Sequence, residues 1–294
     1  MSKEEKKNKS SLVSSGSRSL TTRSSKLVKR GLELISSVEH QNREDAFSYM
    51  RLGIRQCHLR LYKEAIESYQ HAIELDPSNA ACHYYLGRAQ IKLGLNEEAI
   101  ESYKKAIELK PDYVGTYYVL GIAQFKLGLY KEAIESYKQA IKLDPNDARF
   151  YYTLGLAQSK LGLYEEAIEA NKKVIELNPD DAEAYYNLGF AQIKLELYDE
   201  AMESYQRAIK LKPDDAFFYK DLGLTQCLLG LYKEAIESYQ QAIKLNPDEA
   251  KFYFFLGDAQ FKLGLYKEAL EQYHILKNLN QDLANKLKSL LPLD

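Results

Sequence analysis

The chain of 294 residues is 45% apolar and 28% charged, the balance of a chain able to bury a core. Its formal net charge of −2 is unevenly spread: residues 1–30 hold nine Lys/Arg against Glu4 and Glu5, leaving −9 for the rest, so the basic excess sits in a tail. No apolar run reaches the ~18 residues of a membrane span, and Cys57, Cys82 and Cys227, at unrelated spacings, exclude a disulfide framework and point to a reducing compartment, the cytoplasm.

In chain order, residues 1–26 carry nine Ser and few apolar residues and are expected to form a disordered, solvating tail. The tail has no aromatics interleaved with its basic residues, so no specific nucleic-acid partner is expected. Residues 27–45 are expected to be an N-terminal capping helix and linker, with Gly31, Leu32, Ile35 and Val38 in step with the apolar positions of the segment from Ala46 onward. From Ala46 the chain repeats every 34 residues through 283: Gly53, Gly87, Gly121, Gly155, Gly189, Gly223 and Gly257 keep that interval, as do six of the seven prolines, Pro77 to Pro247.

Each repeat reads as two helices. In the third, Tyr117, Leu120, Gly121 and Gln124 form one stripe, and Gly128 stops the first helix with the left-handed conformation that a helix end often needs. Ala133, Ile134, Tyr137, Ala140 and Ile141 form the buried face of the second helix, and Pro145 follows its end. Gly121 and Ala133 are expected where the facing helices come closest. Residues 284–294 place Ala284, Leu287, Leu290 and Leu291 on positions 1, 4, 7 and 8 of an unfinished eighth repeat, an expected C-terminal capping helix.

Tyr at position 4, Leu-Gly at 7–8, Ala at 20, Tyr at 24, Ala at 27 and Pro at 32 resemble the tetratricopeptide repeat signature over residues 46–283. The resemblance implies an all-α, right-handed superhelical solenoid of seven helix-turn-helix repeats whose first helices line a concave groove. It also implies a non-enzymatic scaffold or adaptor that binds a peptide or segment of another protein there. On the family's groove positions stand Tyr84, Arg88, Lys92, Tyr118, Phe125, Lys126, Arg149, Tyr152, Lys160, Tyr186, Phe190 and Lys194. Rings beside ammonium groups suit an acidic, partly apolar partner. The carboxylate clamp that some family members use is missing, because Asn187 is the only Asn at position 6. Two alternatives stay open: a solenoid that self-assembles, and a regulatory subunit whose catalytic partner is a separate chain.

No catalytic, phosphate-binding or zinc motif occurs, and no cofactor is expected. Cys57, His58, His71, Cys82 and His83 are metal-ligand types, but on stacked first helices the pairs Cys57–His58 and Cys82–His83 lie roughly 13 Å apart at 1.5 Å per residue, so no metal is expected. His83 stands where the other repeats have Tyr, which suggests packing.

Four features are unusual. Gln holds position 11 in every repeat, from Gln56 to Gln260. Leu holds position 16, from Leu61 to Leu265, either as an apolar ridge or as a residue copied by duplication. Glu196 replaces a helix-ending Gly and is expected to be strained if its backbone is left-handed. Asn171 and Val174 replace Tyr and Ala in the fourth repeat and mark a softer point.

Overall fold

The computed structural model describes residues 30, 37 and 40–291. The chain divides into two compact units, Met1–Pro111 and Asp112–Asp294. The basic tail at 1–26 and the capping positions Gly31, Leu32, Ile35 and Val38 lie outside the described residues. All regular structure among the described residues is helical. The first unit holds α1 (helical through 40–58), α2 (Tyr62–Leu75), α3 (Ala80–Leu93) and α4 (Asn96–Leu109). The second holds α5 (Val114–Lys126), α6 (Tyr130–Leu143), α7 (Ala148–Leu161), α8 (Tyr164–Leu177), α9 (Ala182–Lys194) and α10 (Tyr198–Leu211). It continues through α11 (Ala216–Leu228), α12 (Tyr232–Leu245), α13 (Ala250–Lys262), α14 (Tyr266–Leu279) and α15 (Gln281–Leu290). Within each unit every helix packs on its sequence neighbours, and short turns make these pairs antiparallel hairpins.

The helix ends follow from particular residues. Most first helices start at an acidic or amide N-cap: the side chains of Asn79, Asp147, Asp181, Asp215 and Glu249 accept bonds from the first-turn N–H groups that have no helical partner. They stop at left-handed residues, Gly94, Gly128, Gly162, Gly230 and Gly264, with φ between 76° and 84°. The Leu at position 16 then donates its N–H back to the position-11 Gln carbonyl, as in Leu129 to Gln124 at 2.9 Å and Leu265 to Gln260 at 2.8 Å. This six-to-one bond closes a Schellman motif. The seven leucines are 36–43% exposed, so it is their backbone that the turn uses.

The Gln ladder has its own partner. Ser68, Ser102, Ser136, Ser204 and Ser238, on the second helices, donate their hydroxyls to Gln56, Gln90, Gln124, Gln192 and Gln226 at 2.6–2.8 Å. These bonds tie each first helix to its own second helix inside the hairpin. In the fourth repeat the serine is replaced by Ala170, and Gln158 Oε1 is buried without a partner. Ala170→Ser is therefore expected to raise stability by about 1 kcal/mol, the net worth of a hydrogen bond that also relieves a buried acceptor. Urea unfolding followed by circular dichroism checks this, and an unchanged or lower midpoint would count against the pairing.

The core of most hairpins is a glycine under an aromatic ring. A Cβ on Gly53, Gly87, Gly121 or Gly223 would lie 2.4–2.7 Å from the ring of Tyr69, Tyr103, Tyr137 or Tyr239. Those tyrosines are buried, as are the alanines at positions 20 and 27. The close approach at Gly121 is thus to the Tyr137 ring lying across the helix. Tyr117, by contrast, is only half-buried. In the fourth repeat Asn171 leaves its neighbour Gly155 less crowded, and turns its amide to the Ala167 carbonyl at 2.7 Å while its Oδ1 has no partner.

The ends of the repeat array differ from the sequence boundaries. Helix α1 already runs through 40–45, ahead of Ala46. Helix α15 starts at Gln281, three residues ahead of Ala284, because Asn280 both ends α14 and caps α15, accepting from the Leu283 N–H at 3.0 Å. Gln281 stands where the other repeats have Pro. Leu287 reaches over Gly257, 2.6 Å from where a Cβ would stand, and so fills the place that tyrosine fills elsewhere.

Among the described residues two besides glycine have positive φ, Arg60 at 62° and Glu196 at 61°, both at the position of the helix-ending Gly. Nothing crowds the equivalent Gly94, Gly128, Gly230 and Gly264, so conformation alone favours glycine there. Glu196→Gly is expected to stabilise the second unit by roughly 1 kcal/mol, read as a raised melting temperature; a lowered one would contradict the strain.

Candidate partner-binding face

In the first unit, Tyr84, Arg88 and Lys92 lie on α3, with the Arg88 guanidinium 5.7 Å from the Tyr84 ring centre. Arg88 and Lys92 join Ile54, Cys57, His58 and Tyr85 around a small cavity of about 140 Å³. His83 takes the tyrosine role: its Nε2 lies 3.3 Å from the Pro77 carbonyl, as the Tyr253 hydroxyl lies 3.0 Å from that of Pro247. Burial pushes the His83 pKa down, and the Pro77 contact and Glu108 oppose that. Cys82 is fully buried and its thiol is pushed up to about 11 by burial. Among the described residues no three His, Cys, Asp or Glu side chains group as a metal site.

In the second unit the tyrosines of position 5 do more packing than their sequence pattern suggests. Tyr118 lies 5.1 Å from Phe150, and Tyr186 stacks 4.9 Å from Phe218, each ring bridging to the next repeat's first helix. The Tyr186 hydroxyl donates to Asp221 at 2.8 Å, and Lys220 pairs with the same carboxylate. Burial, then the Asp221 charge, pushes the Tyr186 pKa well up, so this hydroxyl stays a donor. Tyr152 is half-buried, its pKa raised by burial, and faces Asn187. Phe125 folds against Tyr130 at 5.2 Å and joins the core around Tyr137.

Arg149, Lys126, Lys160 and Lys194 lie on the first helices and are all exposed. Arg149 is held by Asp147, whose carboxyl it keeps below the usual range, and its guanidinium lies 5.9 Å from the Tyr118 ring centre. Phe190 is 37% exposed, with the Lys194 ammonium 5.4 Å from its ring centre. The structure thus gathers Tyr118 with Arg149, and Phe190 with Lys194, and leaves Phe125 to the core. Sequence reasoning missed two residues: Phe217 at position 2 and Leu228 at position 13, 48% and 47% exposed on α11. Both sit on positions used for the other repeats, so the signal was present.

A chain of antiparallel helical hairpins with a 34-residue register, glycine under tyrosine in most hairpins and residues displayed on the first helices, is a tetratricopeptide array. The chain belongs to the tetratricopeptide repeat family: the TPR repeat family matches residues 62–94, 88–128, 125–162, 160–196 and 227–264, and a second tetratricopeptide repeat pattern matches 182–215. Among solved structures, a crystal structure of MamA is 34% identical over 56% of this chain and 97% of that one, with a TM-score of 0.55. YrrB, described as a TPR protein with an unusual peptide-binding site, is 25% identical over 63% of this chain and 95% of its own, with a TM-score of 0.56. A tetratricopeptide repeat protein from Parabacteroides merdae, 19% identical over 84% of this chain and 98% of its own with a TM-score of 0.62, shares the fold. No match is found among curated proteins.

Proposed function

We propose that this chain is a non-enzymatic scaffold that holds an extended, acidic and partly apolar segment of another protein against the exposed face of its first helices. The observation that carries this reading is the display of Phe190 on α9, beside the ammonium of Lys194, and of Phe217 and Leu228 on α11. Exposed aromatic side chains are enriched at protein–protein interfaces, and Phe217 keeps about half its surface exposed although its ring also meets Phe252 at 5.7 Å. The peptide site in the name of YrrB agrees with it. Lys126, Arg149 and Lys160, on the first helices of the preceding repeats, extend the same surface in this proposal. Three free cysteines fit a reducing cytoplasm.

The test is affinity capture with mass spectrometry, followed by titration of the captured segment as a synthetic peptide. Phe190→Ala with Phe217→Ala is expected to weaken binding at least about tenfold with helicity retained. A double variant that binds the peptide as tightly as the parent would reject this face.

A further inference from the structure

The first unit holds a cavity whose charges have no counter-charge among the described residues. Its volume is about 140 Å³, and α1, α2 and α3 wall it on three sides. Buried Tyr69 and half-buried Ile54 and Tyr85 make its floor apolar, the two tyrosine rings stacked 6.0 Å apart. The Cys57 thiol also lines it and accepts the Tyr69 hydroxyl at 3.7 Å. Arg88, Lys92 and His58 stand exposed at its edge, and no carboxylate is among the lining residues.

The other repeats show how unusual this charge is. Position 9 is apolar in five of them, Ile54 and Ile122 included, and acidic in the seventh, where Asp258 pairs with Lys262 at 2.8 Å. The second repeat reverses that sign. Arg88 and Lys92 take the same two positions, and like charges four residues apart on a helix repel. Neither has an ion-pair partner among the described residues. The Arg88 guanidinium lies 5.7 Å from the Tyr84 ring centre. Burial pushes the pKa of Tyr69 and of Tyr103 well up, and the Arg88 charge opposes that at both. The charge therefore stands close to the rings of two hairpins.

We propose that this cavity binds a small free arylalkanoic acid, its ring against Tyr69 and Tyr85 and its carboxylate on Arg88 and Lys92. An apolar cavity of about 150 Å³ takes up one benzene, so this one has room for a single aromatic ring. Rings pair favourably in offset or edge-to-face contact. A guanidinium fork matches a carboxylate through two parallel bonds, and the bound anion offsets the repulsion between Arg88 and Lys92. A phosphate dianion fits less well. Cys57, His58 and Lys92 stand in the last turns of α1 and α3, at the negative ends of those helices. None of these residues belongs to the face of the proposed function, which lies in the second unit, so the two ideas fail separately.

The experiment is a calorimetric titration of phenylacetate into the full chain. The expected result is saturable binding, absent for the neutral phenylacetamide and weaker for phenyl phosphate. Arg88→Ile matches what this position already carries in the first and third repeats, so the variant should keep its helicity by circular dichroism. It should weaken binding at least about tenfold. Bound phenylacetate should also slow alkylation of Cys57 by iodoacetamide, while Cys227, outside the cavity, reacts as in the free chain. No saturable binding, equal binding of phenylacetamide, tighter binding of phenyl phosphate, undiminished binding to the folded variant or an unprotected Cys57 would each overturn the proposal. Tighter binding of N-acetyl-phenylalanine than of phenylacetate would give the site to a protein's carboxyl terminus and overturn the free acid.

Discussion

Tyr137→Ala is expected to destabilise the second unit by about 3–5 kcal/mol, the usual loss for truncating a buried aromatic. Its ring is buried and lies on Gly121, where a Cβ would come within 2.4 Å of it. The same ring borders the core cluster of Ala133, Ile134, Leu154 and Ala157, so truncation opens a void shared by two hairpins. Neighbouring repeats stabilise one another through such seams. Urea unfolding should therefore show an earlier midpoint, and a midpoint within error of the parent would show that the ring is dispensable.

The reciprocal substitution separates glycine's two roles. Alanine is the better helix former by about 1 kcal/mol, so a helical Gly→Ala change gains stability wherever there is room. Gly121→Ala has no room, since its Cβ meets a rigid ring held in the core, and a net loss of about 1–3 kcal/mol is expected. At Gly155 the nearest atom is the Asn171 amide nitrogen at 3.1 Å, a contact that a shift of a few tenths of an ångström relieves, far less than the Tyr137 ring would need. Gly155→Ala is expected to be neutral or mildly stabilising. Melting temperatures of the two variants, measured side by side, should move apart. Equal losses would mean that crowding by tyrosine is not what keeps position 8 small.

The repeat register, the helix ends and the strained Glu196 were all legible in the sequence, because each is a local matter of caps, turns and backbone angle. The reasons for the Gln and Leu ladders were not. Perfect copies cannot separate a required residue from a duplicated one, and the bonds that explain Gln124 run to Ser136 across the hairpin and to the Leu129 backbone. The exceptions tell more: Ala170 reveals what the serine does by its absence. That Asn280 both ends α14 and caps α15, so that α15 begins ahead of Ala284, has no counterpart in the repeat pattern, where Pro stands at the position of Gln281.

On the candidate face Phe190 and Phe125 read alike by position, but the fold leaves Phe190 37% exposed and packs Phe125 on Tyr130 and the core. By position Tyr118 and Tyr186 point at a ligand, yet their rings meet Phe150 and Phe218 of the following repeat. Those contacts join side chains 32 residues apart, 150 − 118 and 218 − 186, and no local pattern announces them.

The claim that the first helices carry the partner is tested most directly by site-specific photo-crosslinking. A benzoylphenylalanine in place of Phe190 on α9, and separately in place of the exposed Lys172 on α8, would each be irradiated with the captured partner segment. The expected result is a covalent adduct from position 190 and none from position 172. Adducts from 172 alone would place the partner on the second helices and contradict the account.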